Sequence, residues 1–287
     1  MSKVKEFFGI YCNDSNTNNV VREQSPIYGV LNSQVCPYSH KKCYKTRKSD
    51  PQTSIGTCTV KYQNNNIIIC PNRLLENNQI FIDCLHLLTL HEPGNELYVV
   101  PEVAIPGGSV DFFLVSAKNG KVKDFTGIEL QTMDTTGTVW PERQRLLNEY
   151  GFPVDEKDLN STRPFGMNWK MTAKTILIQM NHKAETFEYL NKHLVLIIQQ
   201  QLLDYFRKEF TFDHIQGDRI GDTVHFHAYD CKKSGDKLKL SLSTRVSTDT
   251  AGIAECLGLK AESKVELQDI IQELEAKLCD EYRLSIV

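Results

Sequence analysis

The sequence predicts an α/β protein, in which helices cover a central sheet. Two apolar segments flank Lys118-Asn119-Gly120, and this arrangement is a strong signal for a β-hairpin. A second pair of segments alternates polar and apolar side chains around Lys232-Lys233-Ser234-Gly235 and predicts another hairpin. Between the two hairpins, apolar side chains recur at helical intervals. Periodicity alone is compatible with several α/β arrangements.

Length and composition are those of a globular protein. The chain has 287 residues, of which 40% are hydrophobic, so it can form one large domain or two smaller ones around a packed core. It lacks an apolar signal-peptide region, and no stretch approaches the roughly 18 apolar residues that a membrane-spanning helix needs. We therefore expect a cytoplasmic protein without membrane contact. The net charge of −3 neither favours nor opposes a nucleic-acid partner, because basic side chains can be concentrated in one part of the surface.

Four of the nine cysteines lie in one early segment, with the spacing C-x6-C-x14-C-x11-C. In a cytosolic protein this pattern favours metal binding over disulfides. Thiolates at turn and strand-end positions can close a tetrahedral site, and sulfur ligands alone do not separate zinc from iron. Buried thiols or a redox pair are the alternative. The predicted ligands are Cys36, Cys43, Cys58 and Cys70, and the other five cysteines are predicted to be core thiols.

A basic loop surrounds the second of these cysteines and includes Lys42, Lys45 and Arg47. Such a loop either contacts phosphate groups or is an ordinary solvated surface. The apolar positions of residues 74–90 then predict one buried helix. The polar side chains on it, including His86, are interpreted as groups on its outer face.

The first hairpin carries the candidate chemistry. Its predicted strands are Ser109–Val115 and Val122–Gln131, with Asp111 on the first and Glu129 and Gln131 on one face of the second. Two carboxylates and an amide at neighbouring strand positions are ligands that suit Mg²⁺. The preceding strand starts near Glu96, and a third acid follows it at Glu102. An ordinary hairpin with solvated acids is the alternative interpretation.

Register decides whether the two carboxylates can meet. A regular hairpin with Asn119-Gly120 as its whole loop would place Asp111 opposite Ile128, so that Asp111 and Glu129 would point to opposite faces. A bulge or a three-residue loop would place Asp111 opposite Glu129. We therefore predict such an irregularity in this hairpin.

Beyond the hairpin, the sequence predicts mainly covering helices. Arg143 lies shortly after the candidate acids, and Lys170 lies at the start of a long helical tract with breaks predicted near residues 181 and 191. The second hairpin follows, and its His225 and His227 are interpreted as partly buried structural groups. Helices are then predicted at 250–257 and 265–284.

Asp111 followed by Glu129-Leu130-Gln131 resembles the PD-(D/E)xK nuclease signature, with Gln131 where most members carry Lys. This substitution, the cysteine-rich segment and the run Leu130–Gly137 together resemble NotI-type restriction endonucleases. The resemblance implies a restriction-endonuclease-like core with a mixed sheet between helices. It implies iron as the metal of the four cysteines, a prokaryotic-type enzyme, and magnesium-dependent, sequence-specific cleavage of double-stranded DNA.

Under this resemblance, Asp111 and Glu129 ligate Mg²⁺, Glu102 (or Glu96) supports the metal, and Gln131 orients water or holds the scissile phosphate. The positive charge that Gln131 lacks must then come from a second metal or from a cation such as Lys123, Lys170 or Arg143. Residues 1–92 are predicted to bind metal and DNA, and 93–287 to form the catalytic domain. The predicted DNA-contacting side chains are Lys42, Lys45, Arg47, Arg143 and Lys170.

Palindromic DNA targets suit a twofold-symmetric protein, so we expect a homodimer. Two alternative functions remain open at this point. One is a metal-knuckle DNA-binding protein without catalysis, and the other is a non-specific repair nuclease with the same core.

Overall fold

The structure, a computed structural model, describes residues 2–12, 25–259, 270–272 and 275–276. The described residues form a six-stranded mixed sheet with helices and several small antiparallel sheets. In these ranges, no helix combines the length and apolar character needed to cross a membrane. The eight cysteines in these ranges are all free.

The N-terminal part forms a four-stranded antiparallel sheet beside one helix. Its elements are β1 (Val4–Phe7), β2 (Ile10–Tyr11), α1 (Pro26–Ser33), β3 (Thr46–Arg47), β4 (Asp50–Ser54), β5 (Thr57–Tyr62) and β6 (Asn65–Ile68). The strands of this sheet follow the order β2-β1-β5-β6, whereas β3 and β4 form a separate ribbon that carries Arg47 of the basic loop. The Ser25 hydroxyl caps α1 by accepting a hydrogen bond from the Ile27 amide at 3.2 Å.

The segment after β6 is not the single helix predicted for residues 74–90. It consists of a 3₁₀ segment (Pro71–Asn78), helix α2 (Gln79–Asp83) and a second 3₁₀ turn (Leu85–Leu87). Asn77 and Asn78 have φ angles of 53° and 56°, and this left-handed backbone, which asparagine tolerates, interrupts the helix. Leu74, Ile80, Phe81 and Leu87 of the segment are nevertheless buried in the cluster that packs against the large sheet, whereas Ile82 and Leu90 are exposed.

The remaining elements build the large sheet and its covering helices. They are β7 (Glu96–Ile105), β8 (Gly108–Lys118), β9 (Lys121–Leu130), β10 (Thr135–Thr136), α3 (Trp140–Glu149), α4 (Glu156–Leu159), β11 (Gly166–Met167), α5 (Trp169–Tyr189), β12 (His193–Gln199), α6 (Gln200–Glu209), β13 (Val224–Ser234), β14 (Lys237–Thr248) and α7 (Thr250–Cys256). The sheet order is β14-β13-β12-β9-β8-β7. Strand β12 is parallel to both β9 and β13, and the other pairs are antiparallel. The predicted mixed sheet with helices is therefore confirmed.

The main correction to the predicted secondary structure concerns the tract between the hairpins. Helix α5 continues through residue 181, where a break was predicted, and His193–Gln199 is the central strand β12 instead of a helix. Its side chains from Leu194 to Gln199 are all buried, because both faces of the sheet are covered. A continuous apolar run in a parallel strand cannot be told from a buried helix by periodicity.

Two hydrophobic clusters cover the two faces of the large sheet. On one face, α5, α6 and α7 contribute residues such as Phe187, Phe206 and Ile253. On the other face, residues such as Leu74 and Ile80 from the segment after β6 pack against the strands. Residues on both sides of the predicted boundary at 92/93 thus share the same clusters.

The C-terminal hairpin and the first helix after it agree with the sequence prediction. Strands β13 and β14 pair from Val224–Thr248 to Ser234–Lys237, and α7 lies in the segment predicted at 250–257. The Asp249 carboxylate caps α7 by accepting a hydrogen bond from the Gly252 amide at 2.8 Å. Most of the helix predicted at 265–284 lies outside the described residues.

Candidate active site

The β8–β9 hairpin contains the irregularity that the sequence required. Lys118 pairs with Lys121 across a two-residue loop, and Ala117 pairs with Val122, but Ser116 already pairs with Asp124. Lys123 is therefore an extra residue, a bulge that shifts the register by one. The ladder ends at the shifted pair Phe112–Ile128, and the same register continued by one residue would set Asp111 against Glu129. Burial raises the pKa of the Glu129 carboxyl, and the Asp111 carboxylate lies close enough to Glu129 for its charge to add to this rise.

Asp111 lies where the ladder between β8 and β9 ends. One of its carboxylate oxygens, Oδ2, accepts a hydrogen bond from the Leu130 amide at 2.8 Å. This bond fixes the carboxylate beside the backbone of the residue that follows Glu129. The side chain is partly exposed, so a ligand can reach it from solvent.

Glu129 is the most perturbed acid of this group. Its residue is 5% exposed, and its Oε1 lies 2.6 Å from Lys183 Nζ. Burial raises the pKa of the Glu129 carboxyl to about 7; the Lys183 hydrogen bond opposes this shift and the nearby charge of Asp111 adds to it. A buried carboxyl between another acid and a lysine is a frequent feature of functional sites.

Lys183 was not identified from the sequence. It lies on α5, its side chain is 7% exposed, and its Nζ also donates a hydrogen bond to the Ser109 carbonyl at 2.5 Å. The predicted helix break near residue 181 concealed its position, because a lysine next to a break would face solvent. In the continuous helix, residue 183 faces the sheet.

Two glycines allow α5 to approach the start of β8. Gly107 and Gly108 have φ angles of 93° and 137°, which other residues rarely adopt. A Cβ atom on Gly107 would lie 2.3 Å from the His182 carbonyl oxygen, and one on Gly108 would lie 3.2 Å from Lys183 Cε. This close contact brings Lys183 to Glu129, and the Gly107-Gly108 pair is the sequence signal that could have indicated it.

The structure distinguishes between Glu102 and Glu96, the two candidates for the third acid. Glu102 lies between the pairs Pro101–Phe112 and Val103–Val110, which places it opposite Asp111, with a φ of 52° and an exposed side chain. Glu96 pairs at the other end of β7, about 20 Å away at 3.3 Å per residue, and accepts a hydrogen bond from Tyr98. Glu102 is therefore the acid beside Asp111.

The candidate ligands are arranged as an open row rather than a closed cluster. In the described parts of the chain, Glu102, Asp111 and Glu129 do not bring three carboxylate oxygens within 4.8 Å of one another. Gln131 follows β9 and is partly exposed, and its side-chain amide donates a hydrogen bond to the Thr132 carbonyl at 2.6 Å. The amide of Gln131 is thus engaged with the backbone next to the acids.

The four cysteines of the N-terminal segment converge in one buried region. A hydrogen bond between the thiols of Cys58 and Cys70 lowers the pKa of Cys70 to about 6 and raises the pKa of Cys58. Burial raises the pKa of Cys43, and the charges of Cys70 and Cys36 add to this shift. The donor set suits zinc or iron, although within the described ranges no three of the sulfurs lie within 4.8 Å of one another.

The five predicted DNA-contacting cations have different surroundings. Lys42 and Lys170 are exposed, whereas Lys45 donates a hydrogen bond to the Ile69 carbonyl. Arg47 lies over the Trp140 ring at 4.4 Å and 3.5 Å from an Asp158 carboxylate oxygen.

Arg143 cannot present a charge to DNA from this position. It is 4% exposed, its Nε donates a hydrogen bond to the Ile55 carbonyl at 3.0 Å, and burial lowers its pKa to about 10. Its guanidinium lies 4.6 Å from the Trp140 ring centroid. Arg143 therefore supports Trp140, the ring over which Arg47 lies, and the expectation of a direct DNA contact by Arg143 is corrected.

Arg47 also marks a basic cleft that the sequence did not reveal. The cleft lies between the β3–β4 ribbon and the segment around α4. Its four cations, which we call the cleft cations, come from segments more than 100 residues apart and are Arg47, Lys48, Lys157 and Arg163. Separation in sequence hides such a cluster until the chain is folded.

No protein-family model matches the chain, and a search of curated proteins finds no match. The resemblance to NotI-type endonucleases stays a prediction that depends on the residues quoted above.

Proposed function

We propose that the protein is a type II restriction endonuclease of the NotI type, which hydrolyses phosphodiester bonds of double-stranded DNA with Mg²⁺. The observation that carries this proposal is the contact of Lys183 with Glu129 beside Asp111. It brings together two acids and one ammonium group, the same kinds of side chain that the nuclease signature contains.

Lys183 supplies the charge that Gln131 lacks. In the usual signature the lysine lies two residues after the glutamate on the same strand, and Gln131 carries no charge there. Lys183 reaches the same carboxylate from helix α5 at 2.6 Å. An ammonium group in this position stabilises the negative charge that develops on the phosphate during attack.

The three cations suggested by the sequence are less suitable than Lys183 as the source of the charge that Gln131 lacks. Lys123 is the bulge residue near the far end of β9, and Arg143 is buried against Trp140. Lys170 lies in the first turn of α5, about 20 Å along the helix from Lys183 at 1.5 Å per residue. Lys183 is therefore assigned the role left open by Gln131.

Asp111 and Glu129 are the residues that would hold the magnesium ion, with Glu102 in support. Bound Mg²⁺ would neutralise phosphate charge and activate a water molecule. The carboxylate of Glu129 accepts the Lys183 hydrogen bond, and Asp111 is held by the Leu130 amide. Both acids are thus oriented before substrate binds, which reduces the reorganisation required in the transition state.

The cleft cations would contact the DNA backbone. Their loops lie on both sides of one depression, which suits phosphate groups of a duplex. The four-cysteine site, with zinc or iron, would hold the segment that carries Arg47 and Lys48 in place. A closed four-thiolate site has no open position, so its role is structural.

A homodimer stays part of the proposal, since cleavage of both strands of a palindrome requires two equivalent sites. Strand β7 is a candidate surface for the second copy. It forms one edge of the large sheet, and its apolar side chains Leu97, Val99 and Val103 are exposed. Exposed apolar edge strands commonly pair with another chain.

Incubation of the purified protein with plasmid DNA and Mg²⁺ tests the proposal. Discrete fragments would support a restriction endonuclease, and a smear would indicate the non-specific repair nuclease. Intact DNA that is nevertheless bound would indicate the DNA-binding protein without catalysis. Omission of Mg²⁺ is the control, and cleavage that persists without it would contradict the proposed chemistry.

A further inference from the structure

A cluster of histidines lies on the opposite face of the large sheet from Glu129. Strand β13 alternates its side chains, so that Phe226 faces the α5–α7 helices, whereas His225 and His227 lie on the other face, where His227 contacts Cys84 of the segment after β6. Glu129 pairs in register with Leu196, a member of the same helix-side cluster as Phe226. The sheet therefore separates the histidines from the candidate active site.

His227 has an unsatisfied nitrogen in the interior. The residue is 0% exposed, and its Nδ1 lies 3.6 Å from the Cys84 sulfur. Its other ring nitrogen, Nε2, is buried without any hydrogen-bond partner in the structure. A buried polar atom without a partner is costly, and a neutral imidazole nitrogen of this kind can donate its lone pair to a metal ion.

Two further side chains with ligand atoms, His86 and Asp218, lie beside the His227 ring. His86 stacks on His227 with ring centroids 5.8 Å apart, and His86 Nε2 lies 3.4 Å from Asp218 Oδ2. One ligand atom from each of His86, Asp218 and His227 lies within 4.8 Å of the other two. Within residues 2–12, 25–259, 270–272 and 275–276, no other set of three His, Cys, Asp or Glu side chains meets this condition.

The surrounding groups orient these atoms as the outer shell of a metal site does. The second oxygen of Asp218 lies 2.7 Å from His225 Nδ1, and His225 Nε2 lies 3.1 Å from His193 Nδ1. On His227, the contact of Nδ1 with the Cys84 sulfur leaves Nε2 as the ligand nitrogen. Such partners of ligand side chains fix the tautomer and the ring orientation.

The positive charge of Arg245, which lies near His227, is balanced by the carboxylate of Asp83. Arg245 is the cross-strand partner of His227, and a cation there would oppose metal binding. Its guanidinium donates a hydrogen bond to the Asp83 carbonyl at 2.9 Å and lies 4.0 Å from the Asp83 carboxylate. Together with Asp218, Asp83 makes the region able to accept a divalent cation.

We propose that His86, Asp218 and His227 form a binding site for one divalent transition-metal ion, such as Zn²⁺. Two imidazoles and one carboxylate suit zinc and related ions, whereas Mg²⁺ prefers oxygen ligands only. The ion would join three separate segments: the 3₁₀ turn before β7, the loop before β13, and β13 itself. This proposal does not depend on the nuclease function.

Zinc binding to the full-length, chelator-treated and reduced protein tests the proposal. Equilibrium dialysis against Zn²⁺ is compared for the wild type, His86→Ala, Asp218→Asn and the control Asp213→Asn. His86 and Asp218 lie at the surface, so these substitutions are compatible with folding. Asp213 is an exposed acid of the same loop that lies outside the cluster.

We expect the wild type and Asp213→Asn to bind one more equivalent of zinc than the two cluster variants, or to bind that equivalent at least about tenfold more tightly. The four-cysteine segment is identical in all four proteins, so any zinc that it binds cancels in the comparison. Equal stoichiometry and equal affinity in all four proteins would overturn the proposal. Circular dichroism confirms that the compared variants are folded.

Discussion

The ammonium group of Lys183 lies 2.6 Å from the carboxylate of Glu129, and both side chains are almost completely buried. A buried ion pair by itself is weak support for function, because such pairs also occur as structural features. Here the pair lies at the end of β9, beside Asp111, and two adjacent glycines permit the contact. The following experiments separate a catalytic role from a structural one.

Substitution of Lys183 by Met should reduce magnesium-dependent cleavage by about 100-fold or more, since one positioned charge at a developing negative centre contributes about that much. The apolar stem is retained, and the Glu129 carboxyl can remain protonated once its partner is lost. Lys174→Met is the matched control, because Lys174 is an exposed lysine of the same helix. Initial rates on plasmid DNA give the comparison, and a Lys183→Met protein that cuts at the wild-type rate would remove the basis of the assignment.

Asp111→Asn and Glu129→Gln should each abolish magnesium-dependent cleavage while DNA binding is largely retained. Each change keeps the size of the side chain and removes the charge that holds a divalent cation. Asp236→Asn is the control, because Asp236 is an exposed acid in the β13–β14 turn. Cleavage assays and gel-shift assays are run on the same preparations, and full cutting by either active-site variant would refute the ligand assignment.

The pH dependence of the protein should reflect the raised pKa of Glu129. The folded protein retains a proton on this carboxyl up to about pH 7, whereas the unfolded chain releases it near the ordinary value of 4.5. The stabilising contribution is therefore complete below the ordinary value and is lost as the pH rises through 7. Magnesium requires the ionised form, so cleavage should increase over the same range in which this contribution is lost.

Thermal unfolding and cleavage rates measured between about pH 5 and pH 8 check both trends. We expect the midpoint of unfolding of the wild type to decrease more steeply with pH than that of Glu129→Gln, which cannot titrate at this position. Parallel curves for the two proteins would show that Glu129 titrates in the ordinary range of a glutamate.

The predictable part of the site was the part that depends on short-range rules. Asn119-Gly120 fixes the turn, and the requirement that Asp111 and Glu129 share a face implied a bulge, which the structure places at Lys123. The second hairpin followed from the same signals. These features depend on neighbouring residues, so the sequence specifies them locally.

The features that were missed depend on long-range packing. Strand β12 is apolar throughout because both faces of the sheet are covered, and this can be known only when the helices are in place. Lys183 faces Glu129 because α5 is continuous and approaches Gly107 and Gly108. In each case tertiary contacts override a local pattern.

If the four cysteines hold a metal as proposed, its removal should loosen residues 36–70 and weaken the proposed DNA binding, without a direct effect on the acids of β8 and β9. Cys58→Ser breaks the hydrogen-bonded thiol pair with Cys70 and should produce the same effect. Cys256→Ser is the control, since Cys256 is a buried thiol in the cluster that contains α7. Hydrogen exchange of the 36–70 segment measures the loosening, and a chelated protein with unchanged exchange and binding would contradict a structural metal.

The cleft cations should determine the salt dependence of DNA binding. Lys157→Ala and Arg163→Ala should each weaken binding to every duplex by a similar factor and reduce the slope of log affinity against log salt by about 1. Both side chains are exposed, so the substitutions remove charge without disturbing the core. Lys237→Ala, at an exposed lysine that begins β14, is the control. If the slope of both variants equals that of the control, the duplex lies on another surface; a loss confined to one sequence would instead indicate base readout by these residues.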